Sequence, residues 1–352
     1  MSRVWLVAML VAMAVALGAC GGGGGVDDDG GNGGDPGGGG TPPPAGDRQA
    51  LLAAVNTWGY VIQDLWRDGA IDTLDASDCE MLVVEPTRSI EGDEEFDAAG
   101  MVQRLRDMPD GSRRLVMAYV DIGEAEDYRT YWLADWRAPT ATRRGNPDFL
   151  ITVDPDGWSG NYPVAYWDER WKQIVFGAEG SLLDMVLDDG FDGVYLDWVS
   201  AYEEDAVVTV ADDEGLDAAD EMIAFIDELR QAARARDPGF LVIAQNAPEL
   251  ATGHPEYLQV IDAIAQEDVH FSGESDTGWN DARSGDIRTP DGPGEWTRQW
   301  LYARLDTYLQ AGLPVFTVDY CLKPDNAAEA RQRSLARGYV PVVTRTPLDR
   351  LP

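Results

Sequence analysis

The chain has 352 residues, with 63 acidic against 27 basic side chains and a formal net charge of −36. Such a balance excludes a nucleic-acid partner, because phosphate binding needs a basic face. It fits a solubilising, salt-adapted surface first, and the attraction of a cationic substrate second.

The first twenty residues read as a targeting segment. Arg3 supplies a positive start, residues 4–16 are apolar, and the stretch closes "LGAC" at residues 17–20. That ending matches a bacterial lipobox, so Cys20 is the expected lipidation site and residues 1–20 a lipoprotein signal peptide. The apolar run is short for a membrane span. Residues 21–46, "GGGGGVDDDGGNGGDPGGGGTPPPAG", hold almost no apolar side chain. They cannot offset the entropy of ordering and read as a flexible linker of ~25–30 Å typical span. Residues 47–352 show no second shift in composition and form one domain. The expected location is outside the cytoplasm, lipid-anchored to a bacterial membrane, at the outer membrane or cell surface.

Within the domain, apolar runs occur at 57–62, 80–85, 114–120, 148–153, 192–196, 240–245, 262–266 and 313–318. They are rich in β-branched and aromatic residues and bounded by turn formers. Their continuous hydrophobicity suits parallel strands buried on both faces. Amphipathic stretches lie between them, the clearest at 217–239 and 295–312, with a weaker one at 94–108. Eight strands alternating with helices predict a (β/α)8 TIM barrel of class α/β. An open doubly wound sheet is disfavoured, because no Gly-rich dinucleotide loop or P-loop follows an early strand. The run at 339–343 is a ninth, and 148–153 is the weakest of the first eight.

A barrel presents its site at the C-terminal strand ends. There the sequence places Asp121 with Glu124, then Asp154, Asp197, Gln245 with Asn246, Glu267 with Asp268, and Asp319 with Tyr320. One such Asp more often caps a helix than catalyses. So many together exceed capping. The two histidines, His254 and His270, belong to no metal or triad motif, no cysteine cluster suits zinc, and no G-x-S-x-G is present. No metal and no cofactor is expected. Hydrolysis by paired carboxylates remains, the machinery of most glycosidases. Twelve tryptophans add stacking surfaces. Trp132, Trp136, Trp158, Trp167, Trp198 and Trp279 fall near rim loops, whereas Trp58 and Trp300 read as core.

With these residues in view, the chain resembles glycoside hydrolase family 114, the TIM-barrel family of endo-α-1,4-polygalactosaminidases. The resemblance spans roughly residues 56–345. It rests on "AYVDIGEAEDYRTYW" (118–132), "WSGNYPVAYWDERW" (158–171), "DGFDGVYLDWVSAYE" (189–203), "VIAQNAPEL" (242–250), "PEYLQVIDAIAQEDV" (255–269) and "FTVDY" (316–320). It implies a glycosidase cutting α-1,4-linked galactosamine polymers with two acids, at Asp197 and Glu267. It further implies that Asp121, Glu124, Asn246 and Tyr320 line the same cleft. Trp198 departs from the aliphatic residue that relatives often carry there, which bears on the shape of the neighbouring subsite.

On this reading Glu267 is the general acid and Asp197 the nucleophile or base, with the reverse assignment open. Asp154, Trp198 and Asp319 complete the substrate-binding set. The two strand ends stand about 9–10 Å apart if one strand separates them. A carboxyl gap of ~5 Å would mean retention and one beyond ~6.5 Å inversion. The expected partners are a cationic aminosugar polysaccharide and, through the anchor, a membrane. Rival readings are a non-catalytic carbohydrate-binding lipoprotein and a barrel hydrolase for another glycan. Cys79 precedes the second strand and Cys321 follows the eighth, at opposite barrel ends, so no disulfide is expected between them.

Overall fold

The computed structural model describes residues 45–352, apart from Trp158 and Asp276. Cys20 and residues 21–44 of the linker therefore lie outside the described residues, while residues 45 and 46 already belong to the first helix. Eight parallel strands form one sheet in the order β1 to β8: β1 Trp58–Val61, β2 Met81–Val84, β3 Leu115–Asp121, β4 Gly193–Asp197, β5 Leu241–Gln245, β6 Ala263–Glu267, β7 Val315–Tyr320 and β8 Val340–Thr344. The seam between β8 and β1 is bridged by Trp58 Nε1 donating to the Val340 carbonyl at 3.0 Å. Ile62 N donates to Leu348 O at 3.0 Å nearby. The result is a nearly closed (β/α)8 barrel, as the alternating pattern predicts.

One strand assignment changes. Residues 148–153 are not in the barrel; Leu150 makes only an isolated antiparallel bridge to Val164. Phe149 and Leu150 instead pack beneath the long excursion between β3 and β4, against Trp136 and Trp171. The ninth apolar run supplies β8. Hydrophobicity is the same for a buried loop and a buried strand, so it did not separate the two.

Along each strand the side chains alternate between two cores. Trp58, Tyr60, Met117, Tyr119, Tyr195 and Val318 fill the barrel, while Val116, Val120, Val194, Leu196, Val242 and Ile264 meet the helices. Gly193 opens β4 because the wall is tight there: a Cβ would lie 2.3 Å from the Leu241 carbonyl oxygen.

The helices begin and end where local chemistry dictates. Asp217 caps Ala218–Arg236 by accepting from Ala219 N and Asp220 N, and Arg234 and Arg236 complement the dipole of its last turn. Met222, Phe225, Ile226 and Leu229 form its buried stripe, worth ~2 kcal/mol each on burial. Thr297 caps Arg298–Gln310 and Asp97 caps Ala98–Leu105.

The first helix, Ala45–Ala54, crosses the barrel floor. Leu52 joins the interior core, and Arg48 pairs with Asp192 at 3.3 Å and Asp237 at 2.6 Å, residues that precede β4 and β5. Cys79 and Cys321 are free and buried.

Candidate active site

The site follows from strand parity. Tyr119 and Tyr195 point into the barrel, so Asp121 and Asp197, two residues on, point into its mouth. The same count brings Gln245, Glu267 and Tyr320 inward. Asp121 and Asp197 are register partners on adjacent strands. Val318 is opposite Glu267, which lets Tyr320, one step higher on the same face, reach that carboxylate.

Glu267 accepts from the Tyr320 hydroxyl on Oε1 and from Gln245 Nε2 and Asn246 Nδ2 on Oε2, the last at 3.2 Å. Gln245 is oriented by Tyr60, whose hydroxyl donates to its Oε1 at 3.2 Å. Asn246 Oδ1 accepts from Glu267 N at 3.1 Å, so the amide holds both ends of the residue. Burial pushes the Glu267 carboxyl up to about 7, the Asp197 charge adds to this, and the three donors oppose it.

Asp197 has a different shell. The Tyr119 hydroxyl donates to Oδ2 at 2.6 Å and Trp198 N to Oδ1 at 2.8 Å. Burial raises its pKa while these two bonds favour the anion. Burial also holds the Tyr119 and Tyr320 phenols well above their usual range, so both remain donors.

Beside this pair stands a second acidic group. Asp121 Oδ1 accepts from Gly123 N at 3.0 Å and Glu124 N at 2.9 Å. Glu124 is fully buried; Asn161 Nδ2 donates to Oε2 at 3.2 Å and Oε1 has no hydrogen-bond partner among the described residues. Burial raises both carboxyls, with Glu126 and Asp197 adding to Asp121, and Asp121 and Asp154 to Glu124. Gly123 lets this loop lie against the next one, since a Cβ there would sit 2.4 Å from the Trp198 carbonyl oxygen.

The backbone at the rim is strained. Trp198 (φ 56°), Asn246 (φ 62°), Ala247 (φ 50°) and Asp268 (φ 59°) are left-handed non-glycine residues directly after three of the strand ends. Such conformations persist where the surroundings over-determine them, and they cluster at functional sites.

Two expected residues are placed differently from the strand-end pattern. Asp319 alternates with Val318 and Tyr320 and faces outward, where its carboxylate binds His270. Its neighbour in parity, Thr317, meets Ser334 on the outer helix Pro324–Ala336 at 2.9 Å, in keeping with that direction. Asp154 is buried near Glu124 but ends no strand; it lies in the β3–β4 excursion and accepts from Asp156 N at 2.9 Å.

The tryptophans divide too. Trp58 is core, as expected, whereas Trp300 is half-buried against Trp296. Trp198 is half-buried at the rim, and Trp132 packs on Tyr162 with centroids 5.4 Å apart. Trp167 donates to Glu214, and Trp279 lies between Arg345 and Arg350. Trp158 lies outside the described residues.

Tyr60 and Tyr119 are not marked by the sequence as site residues, although counting two back from Asp121 yields Tyr119; Gln245, expected at its strand end, takes its place beside Glu267. Arg129 is not marked either. Its buried guanidinium bridges Glu85 and Glu126 at 2.6 Å each, behind the acidic ring. Asp217, Asp220 and His254 bring ligand atoms within 4.8 Å of one another, but outside this ring and with Asp217 engaged as a helix cap.

A barrel whose mouth holds two buried carboxylates in contrasting shells has the equipment of a carbohydrate-cleaving enzyme. The chain matches glycoside-hydrolase family GH114 over residues 43–351; it belongs to that family and is a glycosidase. An uncharacterized protein of Deinococcus radiodurans is 32% identical over 306 residues, 86% of this chain and 85% of that one. Another, from Thermotoga maritima, is 42% identical over 134 residues, 38% of each chain. Among solved structures, Aspergillus fumigatus Ega3 in complex with galactosamine superposes with a TM-score of 0.56 at 18% identity, over 84% of this chain and 94% of that one. The glycoside hydrolase domain of PelA from Pseudomonas aeruginosa gives 0.55 at 19% identity, over 84% and 97%. At such identities the likeness concerns the fold.

Proposed function

We propose that this glycosidase cleaves, within the chain, an α-1,4-linked polysaccharide containing galactosamine whose free amines make it cationic. The observation that carries the reading is the pairing of Asp197 and Glu267 in one mouth with different shells. Glu267, pushed up to about 7, keeps a substantial protonated fraction near neutrality. It gives that proton to the glycosidic oxygen as the C–O bond breaks, and the leaving sugar departs with a new hydroxyl. Asp197, held by Tyr119 and Trp198 N, either bonds to the anomeric carbon or takes a proton from the attacking water. In the first route, water later attacks with Glu267 as base.

The substrate class is supported by the acidic mouth and by galactosamine in the complex of the structurally similar Ega3. Asp121 and Glu124 are the side chains we assign to a substrate ammonium, because Glu124 Oε1 is buried without a donor among the described residues. Asp154, Trp198, Asn246 and Tyr320 complete the cleft. A lipid on Cys20 would hold the enzyme at a membrane outside the cytoplasm. The helix Ala45–Ala54 joins the body at the barrel floor, opposite the mouth, which keeps the cleft clear of such a surface.

The test is release of reducing ends from galactosamine, N-acetylgalactosamine and glucosamine polymers by the wild type, Asp197→Asn and Glu267→Gln. Hydrolysis of the first polymer, with a loss of about 10³-fold in each variant at unchanged folded-state spectra, is the expected result. Turnover by the wild type of another glycan alone would replace the substrate, and full activity in either variant would remove the mechanism.

A further inference from the structure

Asp319 and Tyr320 are consecutive on β7 and face opposite sides of the barrel wall. Inside, the Tyr320 hydroxyl donates to Glu267. Outside, Asp319 Oδ1 accepts from His270 N at 2.6 Å and Phe271 N at 2.9 Å, while Oδ2 binds His270 Nδ1 at 2.8 Å. Carboxylate and ring are both fully buried. The segment so held begins only three residues after Glu267.

Between them the chain turns at left-handed Asp268, and the turn is tied from both sides. Asp268 N donates to the Val318 carbonyl at 2.9 Å. Thr289 Oγ1 donates to the Asp268 carbonyl at 2.5 Å, and Thr289 N to that of His270 at 2.9 Å. Two adjacent residues of β7 therefore grip Glu267 and the segment after it from opposite faces.

We propose that Asp319 is a positioning residue, pinning His270 and Phe271 so that the turn at Asp268 aims Glu267 across the mouth toward Asp197. This rests on the reading of Glu267 as an acid that acts on the substrate. Among the described residues the hydrogen-bond partners of the Asp319 carboxylate are His270 and Phe271, outside the mouth. The groups around it are the Tyr302 hydroxyl, 3.0 Å from His270 Nε2, with the Arg337 guanidinium 3.9 Å from the Tyr302 ring centroid. Asp268, across the turn, and Cys321, two residues on, feel its charge. With the carboxylate accepting from Nδ1–H, a neutral ring leaves Nε2 to accept from Tyr302. Asp319→Asn preserves volume and an oxygen for the backbone donors, but offers an amide N–H to Nδ1. The ring must then change tautomer or lose the bond.

The experiment compares wild type, Asp319→Asn and Thr289→Val by two readouts. One is the pH–rate profile on galactosamine polymer; the other is titration of the ¹³C-labelled Glu267 carboxyl, assigned through its loss in Glu267→Gln. For Asp319→Asn we expect kcat lower by about tenfold with KM within about twofold, from a small misplacement of the acid. The Glu267 midpoint and the alkaline limb should move together by about half a unit or more. A lower Tm with kcat and midpoint unchanged per folded molecule overturns the proposal. If Asp319→Asn does not fold, Thr289→Val, which removes one tie from the same turn, decides: a smaller shift of the midpoint upholds the proposal and no shift overturns it. A wild type inert on the polymer defeats the substrate reading alone, and the titration midpoint then decides the role of Asp319.

Discussion

Asp121 and Asp197 stand opposite each other in register at the ends of two adjacent parallel strands, both turned into the barrel mouth. Two carboxylates so placed and buried repel when both are ionised, and the pKa values of both are raised, by burial first. The fold thus holds at its mouth a charge arrangement that works against its own stability.

That arrangement gives stability a definite pH sense. The raised Asp121 carboxyl binds its proton more tightly folded than unfolded. Its contribution to stability is fully present below the ordinary carboxyl range and is lost as pH rises through the raised value. Asp121→Asn keeps an oxygen for Gly123 N and Glu124 N. We expect a Tm higher by about 2 °C or more at pH 8, a gain that shrinks toward pH 4. Thermal scans across that range check it, and a lower Tm at pH 8 would contradict it.

The two tyrosines should move opposite limbs of the pH–rate profile. Tyr320 stabilises the ionised form of Glu267, so Tyr320→Phe lets that acid keep its proton to higher pH, and the alkaline limb moves up. Tyr119 does the same for Asp197, so Tyr119→Phe raises the acid limb and narrows the active range. Shifts of about half a unit or more are expected, measured as kcat/KM against pH. An exchange of limbs, with Tyr320→Phe moving the acid limb and Tyr119→Phe the alkaline one, would reverse the roles assigned to the two carboxylates.

Recognition of a cationic polymer by buried and rim carboxylates should weaken with salt. Between about 0.05 and 0.5 M NaCl the screening length falls roughly threefold, and KM should rise with little change in kcat. Glu124→Gln should raise KM for the amine-bearing polymer about tenfold and leave a neutral, N-acetylated oligosaccharide unaffected, since it removes one charge-assisted contact. Equal effects on both substrates would place Glu124 outside amine recognition.

The anchor is open to a separate measurement. Cys20→Ala should release the protein from the membrane fraction into the aqueous phase of a detergent partition with the activity of the body unchanged. Unaltered partition would end the lipid assignment.

Much of this molecule was legible in the chain. The strand-end acids stand out because a parallel strand buried on both faces tolerates no charge until it leaves the sheet, so Asp121, Asp197 and Glu267 mark where the wall stops. The proposed catalytic pair, Asp197 and Glu267, rests on family likeness, and the barrel brings both acids to one mouth. What the chain concealed was direction. In "FTVDY" both Asp319 and Tyr320 follow an apolar run, yet one faces outward and the other inward. When both faces of a strand are apolar, alternation carries no mark of inside and outside, and only closure of the barrel assigns them. The same degeneracy lets 148–153 pass for a strand, and it hides Tyr119, which holds Asp197, and Tyr60, which holds Gln245. Sequence by itself determined which residues bear the charge; the tertiary structure decided which of them meet, because meeting depends on parity, register and the seam between β8 and β1.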